Sequence, residues 1–198
     1  MSTADILISP ATIWYAPVGE PLPDETTIAY GAAWGGNWAQ IAMTAEALAM
    51  NRDLSTFEAM IEQSTLPVKR SVTEEKVAFE TVIAEFTGDH LVLVMGGTNT
   101  PTAAGVGQVG FEELVAGGEV TLDERMWGFE GKYVNTAGAV LPVRVFIYRA
   151  TSVLNGALTF GKGEQTGIPL RIDALGDLTK PIGQQLLKVQ KVTAAATS

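Results

Sequence analysis

A glycine-rich segment is the first feature of this chain that could do chemistry. Gly105-Val106-Gly107-Gln108-Val109-Gly110 matches the GxGxxG pattern, in which glycines let a backbone approach a pyrophosphate at the start of a helix. No predicted strand leads directly into it, and the residues after it reach Gly117-Gly118 too soon for a crossover helix. The sequence therefore predicts no dinucleotide site. Residues 96–110 are rich in Gly, Thr, Pro and Ala, and this composition and length predict a loop.

A second glycine pair brackets a possible phosphate-binding turn. Gly156 to Lys162 resembles the start of a P-loop, in which the lysine contacts phosphate and a following Ser or Thr holds magnesium. Here the next residue is Gly163, and Pro169 follows shortly afterwards. The segment is better interpreted as a hairpin turn.

Cysteine and histidine chemistry is almost absent. The chain has no cysteine and one histidine, His90, which excludes disulfides and thiolate metal sites and leaves any catalytic triad dependent on one residue. We interpret His90 as a polar residue at a helix start. The composition predicts no cofactor, no metal site and no enzymatic activity.

Carboxylates cluster in the middle of the chain, where paired acids can serve acid and base roles. Glu58, Glu62, Glu74 and Glu80 are all even-numbered. Within each predicted strand such parity is typical of one solvated face. We therefore favour a solvated acidic face over a catalytic pair.

Four aromatic residues could act as stacking platforms for a sugar or a base: Trp34, Trp38, Trp127 and Tyr133. Isolated aromatics in strands more often anchor a core or an interface. We favour that interpretation.

The overall composition describes a globular, acidic protein. The 198 residues are 46% hydrophobic, and 13 basic against 22 acidic side chains give a net charge of −9. An acidic surface repels nucleic acid. No run approaches about 18 apolar residues and the N-terminus lacks a signal-peptide pattern, so we expect a soluble protein with no membrane contact.

The pattern of prolines and alternating residues predicts a mainly β chain in three parts. These parts are an extended N-terminal arm with a first strand (1–35), a β domain (36–180) and a C-terminal arm (181–198). Residues 45–50 have helix propensity, but a six-residue helix cannot stand alone, so we favour a strand there. Leu141–Val153 alternates with apolar residues on both faces, which predicts a strand buried on one face and covered on the other by a neighbour such as another subunit.

A long hairpin over 54–86 is the most distinctive prediction. Its strands are Leu54–Gln63 and Val72–Phe86, with a basic tip at 64–71. Fifteen extended residues span about 50 Å, more than a usual strand, so part of the hairpin should project from its domain. A short helix over 88–96 follows, with N-cap oxygens at Thr87 and Asp89; a buried strand is the rival interpretation.

Three segments together resemble the major tail tube proteins of long-tailed, siphovirus-like bacteriophages. They are Gly36-Asn37-Trp38 followed by Met43-Thr44, the long strand and short helix of Val72–Gly97, and the closing strand of Gly167–Asp177 with its Ile-Pro and final Asp. The resemblance covers roughly 30–180.

The resemblance implies an antiparallel β-sandwich or barrel with one short flanking α-helix, assembled into hexameric rings that stack around a continuous β-lined lumen. It implies a virion tail protein, assembled in the bacterial host cytoplasm, whose partners are its own copies, tape measure protein, tail terminator and distal tail proteins. Viral DNA would transit the lumen without specific binding.

Two sets of residues are hypothesised to serve this assembly. Leu66, Pro67, Val68, Lys69 and Arg70 are inter-ring contacts, and Glu58, Glu62, Glu74 and Glu80 are acidic lumen candidates. The alternatives are a related secretion-system tube ring, a tail-completion protein, or a small-ligand-binding β domain.

Overall fold

The structure is a computed structural model that describes residues 9–41, 43–118, 122–163 and 165–194. Within these ranges the chain forms ten strands and one helix. They are β1 (Thr12–Pro17), β2 (Ala39–Ile41), β3 (Ala49–Ala59), β4 (Lys69–Ile83), α1 (Gly88–Met95), β5 (Thr98–Thr102), β6 (Phe111–Val115), β7 (Glu124–Val134), β8 (Val140–Leu154), β9 (Ile168–Ala174) and β10 (Leu187–Lys191). The ends of the two predicted arms, 1–8 and 195–198, lie outside the described residues.

The long strand β8 is shared by the two halves of one eight-stranded antiparallel sheet. The main strand order is β2-β1-β7-β8-β9-β4-β3. Residues 143–147 of β8 also pair with β10, and residues 150–154 pair with β9. The register against β7 shifts between Arg125 and Trp127, and such irregularities bend a strand. β8 therefore passes from one layer of a β-sandwich to the other, and the predicted mainly β, antiparallel fold is confirmed.

One main core fills the space between the two layers. Phe79 of β4 stacks on Phe129 of β7 with ring centroids 4.7 Å apart, and Leu93 and Val94 of α1 cover one side. Alternation along each strand turns every second residue inward. The other buried members of the main core are Ile13, Ile41, Val77, Ile83, Trp127, Ile147, Ala150, Ile168, Leu170 and Ile172.

Local capping explains why α1 forms, and the predicted helix is confirmed. The hydroxyl of Thr87 accepts a hydrogen bond from the backbone N–H of His90 at 3.2 Å. Gly96 has φ of 70° and donates to the carbonyl of Val92 at 2.9 Å, a conformation that glycine adopts without steric cost. Glu112 of β6 accepts from the N–H of Gly88 at 2.7 Å, and this bond fastens the β5–β6 hairpin to the helix.

The opposite face of β1, β7 and β8 carries a second apolar cluster. Residues 18–38, called here the 18–38 loop, connect β1 to β2 and cover this face. The cluster contains Trp14, Ala16, Trp34, Trp38, Met126 and Phe146. The two apolar faces of β8 are thus both covered within one chain. The predicted aromatic anchors are buried as well: Trp34, Trp38, Trp127 and Tyr133.

Three predicted boundaries are wrong, each because a distant strand decides the local structure. The predicted loop at 96–110 contains β5, which pairs with β6. The strand predicted over 45–50 begins only at Ala49, after a bend. The hairpin loop spans 60–68, not 64–71, because Lys69 to Ser71 pair with Ala59 to Phe57. No helix in the described ranges is long and apolar enough to cross a membrane.

Candidate assembly surface

The β3–β4 hairpin extends beyond the sheet to which it belongs. β4 pairs with β9 only from Ala78 to Ile83, whereas its pairing with β3 continues to Lys69. Residues 53–76, called here the hairpin extension, are therefore a two-stranded ribbon. At about 3.3 Å per residue it projects about 25 Å. A two-stranded hairpin alone is marginal in water, so the extension needs a further contact surface to be well ordered.

The hairpin extension exposes an unusual amount of apolar surface. Phe57, for instance, leaves 63% of its side chain accessible. The exposed apolar residues of the extension are Leu54, Phe57, Met60, Ile61, Leu66, Val68 and Val72. Exposed apolar side chains gathered on one element in this way mark an interaction site.

Both edges of the hairpin extension are open. Within the described ranges, β3 pairs only with β4, and residues 69–77 of β4 pair only with β3. The edge of β3 that does not pair with β4 is eleven residues long and contains no proline or glycine. Such an edge is a template for pairing with another chain. Apolar side chains and open edges thus coincide on one element.

The register gives the hairpin two distinct faces. Leu54 and Glu75 lie on the side of Val77 and Phe79, which enter the main core; we call this the core-side face. The opposite, outer face carries Asn51, Asp53, Ser55, Glu74, Lys76 and Glu80, and it continues onto β9 at Arg171 and Asp173.

A register shift changes which residues of β4 lie on each face near the tip. The shift between Ser55 and Thr56 inserts one extra residue in β4, and a one-residue shift moves the following side chains to the other face. Val72, Arg70 and Glu58 therefore lie on the core-side face. Glu74 and Glu80 lie on the outer face.

The outer face combines acidic residues with fewer bases. Lys76 bonds Glu74 at 2.9 Å, and Arg171 contacts Asp173 at 2.9 Å and Glu80 at 3.2 Å. The hydrogen bond that Arg171 donates to Asp173, together with the charges of Asp173, Glu80 and Asp53, raises the pKa of Arg171 further. Four carboxylates (Asp53, Glu74, Glu80, Asp173) thus accompany three cations (Lys76, Arg171 and, beside the loop, Lys69), and the face keeps a small negative balance.

The residues hypothesised as inter-ring contacts occupy two kinds of position. Leu66, Pro67 and Val68 lie in the exposed loop, whereas Lys69 and Arg70 begin β4. The guanidinium of Arg70 bonds the carboxylate of Glu58 across the ribbon. Sequence reasoning missed the apolar residues of β3, although Leu54 and Phe57 each stand between charged or polar neighbours.

Glu62, the remaining lumen candidate, lies in the turn that follows β3. Glu58 and Glu62 are thus at the tip of the hairpin, and Glu74 and Glu80 are nearer its base. The structure does not bring the four carboxylates together at one site.

The segments that suggested nucleotide chemistry have other positions. Gly105 and Gln108 form the tight turn between β5 and β6, and Gly156 to Lys162 connects β8 to β9. His90 is buried in the first turn of α1, where its Nδ1 lies 3.1 Å from the carbonyl oxygen of Glu85. These contacts hold loops and the helix in place.

A mainly β subunit with a projecting, open-edged hairpin that exposes apolar side chains has the features of a protein that binds other chains. A family model described as phage tail tube protein matches residues 3–196. The chain therefore belongs to the phage tail tube protein family, and it is a structural component of a phage tail. A search of curated proteins found no match.

Proposed function

We propose that this chain forms hexameric rings that stack into the hollow tail tube through which the phage genome passes. The hairpin extension carries this proposal, because its open edges and exposed apolar side chains have no cover within the described part of the chain. A closed ring removes sheet edges by pairing them with those of neighbouring copies. Membership of the family implies assembly with other tail components; here we propose tape measure, terminator and distal tail proteins.

Stacking of rings is assigned to the tip of the hairpin extension. Leu66, Pro67 and Val68 lie in the exposed loop at the far end of the hairpin, and Lys69 follows them on an otherwise acidic protein. Contact between this tip and the next ring buries the apolar loop residues and gives the lysine a carboxylate-rich surface to approach.

Electron microscopy of the purified protein tests the proposal. We expect negative staining to show polymerised tubes of uniform diameter with six-fold symmetry in end views. Isolated rings that never stack would instead favour a ring of a related secretion apparatus or a tail-completion protein. Monodisperse monomers at high concentration would contradict the assembly function.

The lumen is proposed to be acidic and to be lined by the outer face of the hairpin, with Glu74 and Glu80 among its residues. Six copies at −9 each give a ring −54 charges, and a negative lumen repels DNA phosphates during transit. Glu58 and Glu62, at the hairpin tip, stay predictions as lumen residues.

Neutralising two outer-face carboxylates tests this charge assignment. In the Glu74→Gln, Glu80→Gln double variant we expect tubes of normal diameter but slower DNA ejection at low salt. The difference should shrink as salt screens the charges, over a Debye length of about 10 Å at 0.1 M. The matched control, Glu113→Gln with Asp123→Asn, removes the same charge elsewhere. If the wild-type phage, the double variant and the control eject DNA at the same rate at every salt concentration, an acidic lumen at these residues is contradicted.

A further inference from the structure

The two ends of the 18–38 loop are bonded to each other, so the loop is a closed unit. We call the joined ends, Glu20 and Pro21 with Asn37 and Trp38, the neck. The carboxylate of Glu20 accepts hydrogen bonds from the backbone N–H and the side-chain amide of Asn37 at 3.0 and 2.8 Å. Trp38 Nε1 donates to the carbonyl of Pro21 at 2.9 Å. The two ends of the loop are thus tied to each other, next to β1 and β2. A loop with joined ends that packs on itself can move without disturbing the strands it connects.

The loop is attached to the sandwich almost entirely through side chains. Among the described residues, no backbone-to-backbone hydrogen bond joins residues 21–38 to another element. Its aromatic cluster shares no residue with the main core. Detachment of the loop therefore leaves the main core and every strand pair of the sandwich intact.

One attachment is a slot for Trp34 at Gly128 of β7. A Cβ on Gly128 would lie 2.2 Å from the Trp34 ring, so only glycine leaves room for it. The Trp34 ring lies 5.0 Å from that of Trp14 and 5.4 Å from that of Phe146.

The second attachment is a buried ionic cluster centred on Arg144 of β8. Its Nε donates to Glu130 of β7 at 2.9 Å, and its Nη2 donates to the loop carbonyls of Ile28 at 2.8 Å and Ala29 at 3.3 Å. Glu130 in turn accepts from the loop N–H of Gly31 at 3.0 Å. Arg144 and Glu130 are fully buried, so each neutralises the other where water cannot.

Glu25 adds a second carboxylate to a cluster that has one guanidinium. It bonds Nη1 of Arg144 through one oxygen, while its buried Oε1 has no hydrogen-bond partner among the described residues. The other charged groups facing it are Glu130 of β7 and Lys188 of β10. A groove of about 680 Å³, which Lys191 of β10 also lines, opens beside Glu25 and gives water access to this end of the cluster.

We propose that the 18–38 loop is a clasp that opens as a unit about its neck, and that the ionisation of Glu25 sets how often it opens. Arg144 with Glu130 is a neutral pair, so an ionised Glu25 adds a negative charge in the attached state, which Lys188 of β10 offsets only in part because burial still dominates. Opening releases that charge to water and uncovers Trp14, Met126 and Phe146. The clasp therefore links the exposed apolar surface of the subunit to pH.

The direction of the pH effect follows from linkage. Burial raises the pKa of Glu25, against the opposing charge of Arg144. A carboxyl whose pKa is higher in the attached loop than in the open loop favours the attached loop as pH falls. The hydrogen bonds from Asn37 lower the pKa of Glu20, so the neck keeps its ionised acceptor while Glu25 takes up a proton.

Hydrogen exchange on the full, unassembled chain at pH 5 and pH 8, corrected for intrinsic exchange rates, tests the clasp. We expect amides of 21–37 to open independently of β7 and β8, with an opening constant about threefold or more larger at pH 8. Glu25→Gln should abolish that difference, and the exposed control Glu113→Gln should keep it. Gly128→Ala, which expels Trp34, should raise exchange of the loop at least about tenfold at both pH values while the core strands stay protected.

Two results would overturn the proposal. One is exchange of the loop and the core strands with a single common opening constant, which would make the loop part of the global unit. The other is a Glu25→Gln protein whose loop keeps the wild-type pH dependence.

Discussion

Phe79→Ala is expected to lower the free energy of unfolding by about 3–5 kcal/mol, the usual cost of removing a buried phenyl ring. Phe79 is 2% exposed and stacks on Phe129 between the two layers of the sandwich. Little can move into the cavity, because strands on both sides are held by their ladders. Urea unfolding of the unassembled subunit measures the effect.

Phe57 is the matched control for this prediction, since it lies on the same hairpin but is 63% exposed. We expect Phe57→Ala to change the free energy of unfolding by less than about 0.5 kcal/mol and to weaken tube formation instead. Equal destabilisation by the two substitutions would show that the hairpin extension folds as part of the sandwich core. The two substitutions would then not distinguish an effect on folding from an effect on assembly.

Replacing the hairpin loop 60–68 by Asn-Gly is expected to abolish tubes without unfolding the subunit. Ala59 and Lys69 are directly paired, so a two-residue type I′ turn can join them without altering the register. The change removes Leu66, Pro67 and Val68, the proposed contact with the next ring. Electron microscopy and circular dichroism at concentrations where the wild type polymerises provide the readout.

The β5–β6 hairpin supplies the control for this shortening. Thr102 and Phe111 are paired, so Asn-Gly can replace residues 103–110 in the same way. We expect this variant to form tubes. Tubes of normal length and stability from the 60–68 variant would exclude that loop as the stacking contact.

Features set by neighbouring residues were predictable from the sequence. The helix was found because Thr87 and Gly96, which end it, lie next to the residues they cap. The projecting hairpin was found because its length exceeds what a domain of this size can cover. The limits of its loop were not predictable. Lys69 and Arg70 look like loop residues, and only their pairing with Ala59 and Glu58 shows that they belong to β4.

Features set by distant residues were not predictable. The position of the 18–38 loop depends on its contacts with Gly128 and Arg144, which lie about a hundred residues further along the chain. No local sequence pattern predicts either contact. β5 was missed because 96–110 is rich in Gly, Thr, Pro and Ala, which is typical of a loop, yet a proline such as Pro101 is tolerated on an edge strand. The faces of the hairpin extension depend on one extra residue in β4, which parity counting cannot detect.

The passage of β8 through both layers gives the subunit a mechanical tie. Residues 143–147 are bonded to β10 and residues 150–154 to β9, which in turn holds the base of the projecting hairpin through β4. Tension applied between the C-terminal strand and the hairpin is therefore carried along one covalent strand and shared as shear by two ladders. In the stack of rings that we propose, this tie would let load pass between rings without opening the sandwich between its layers.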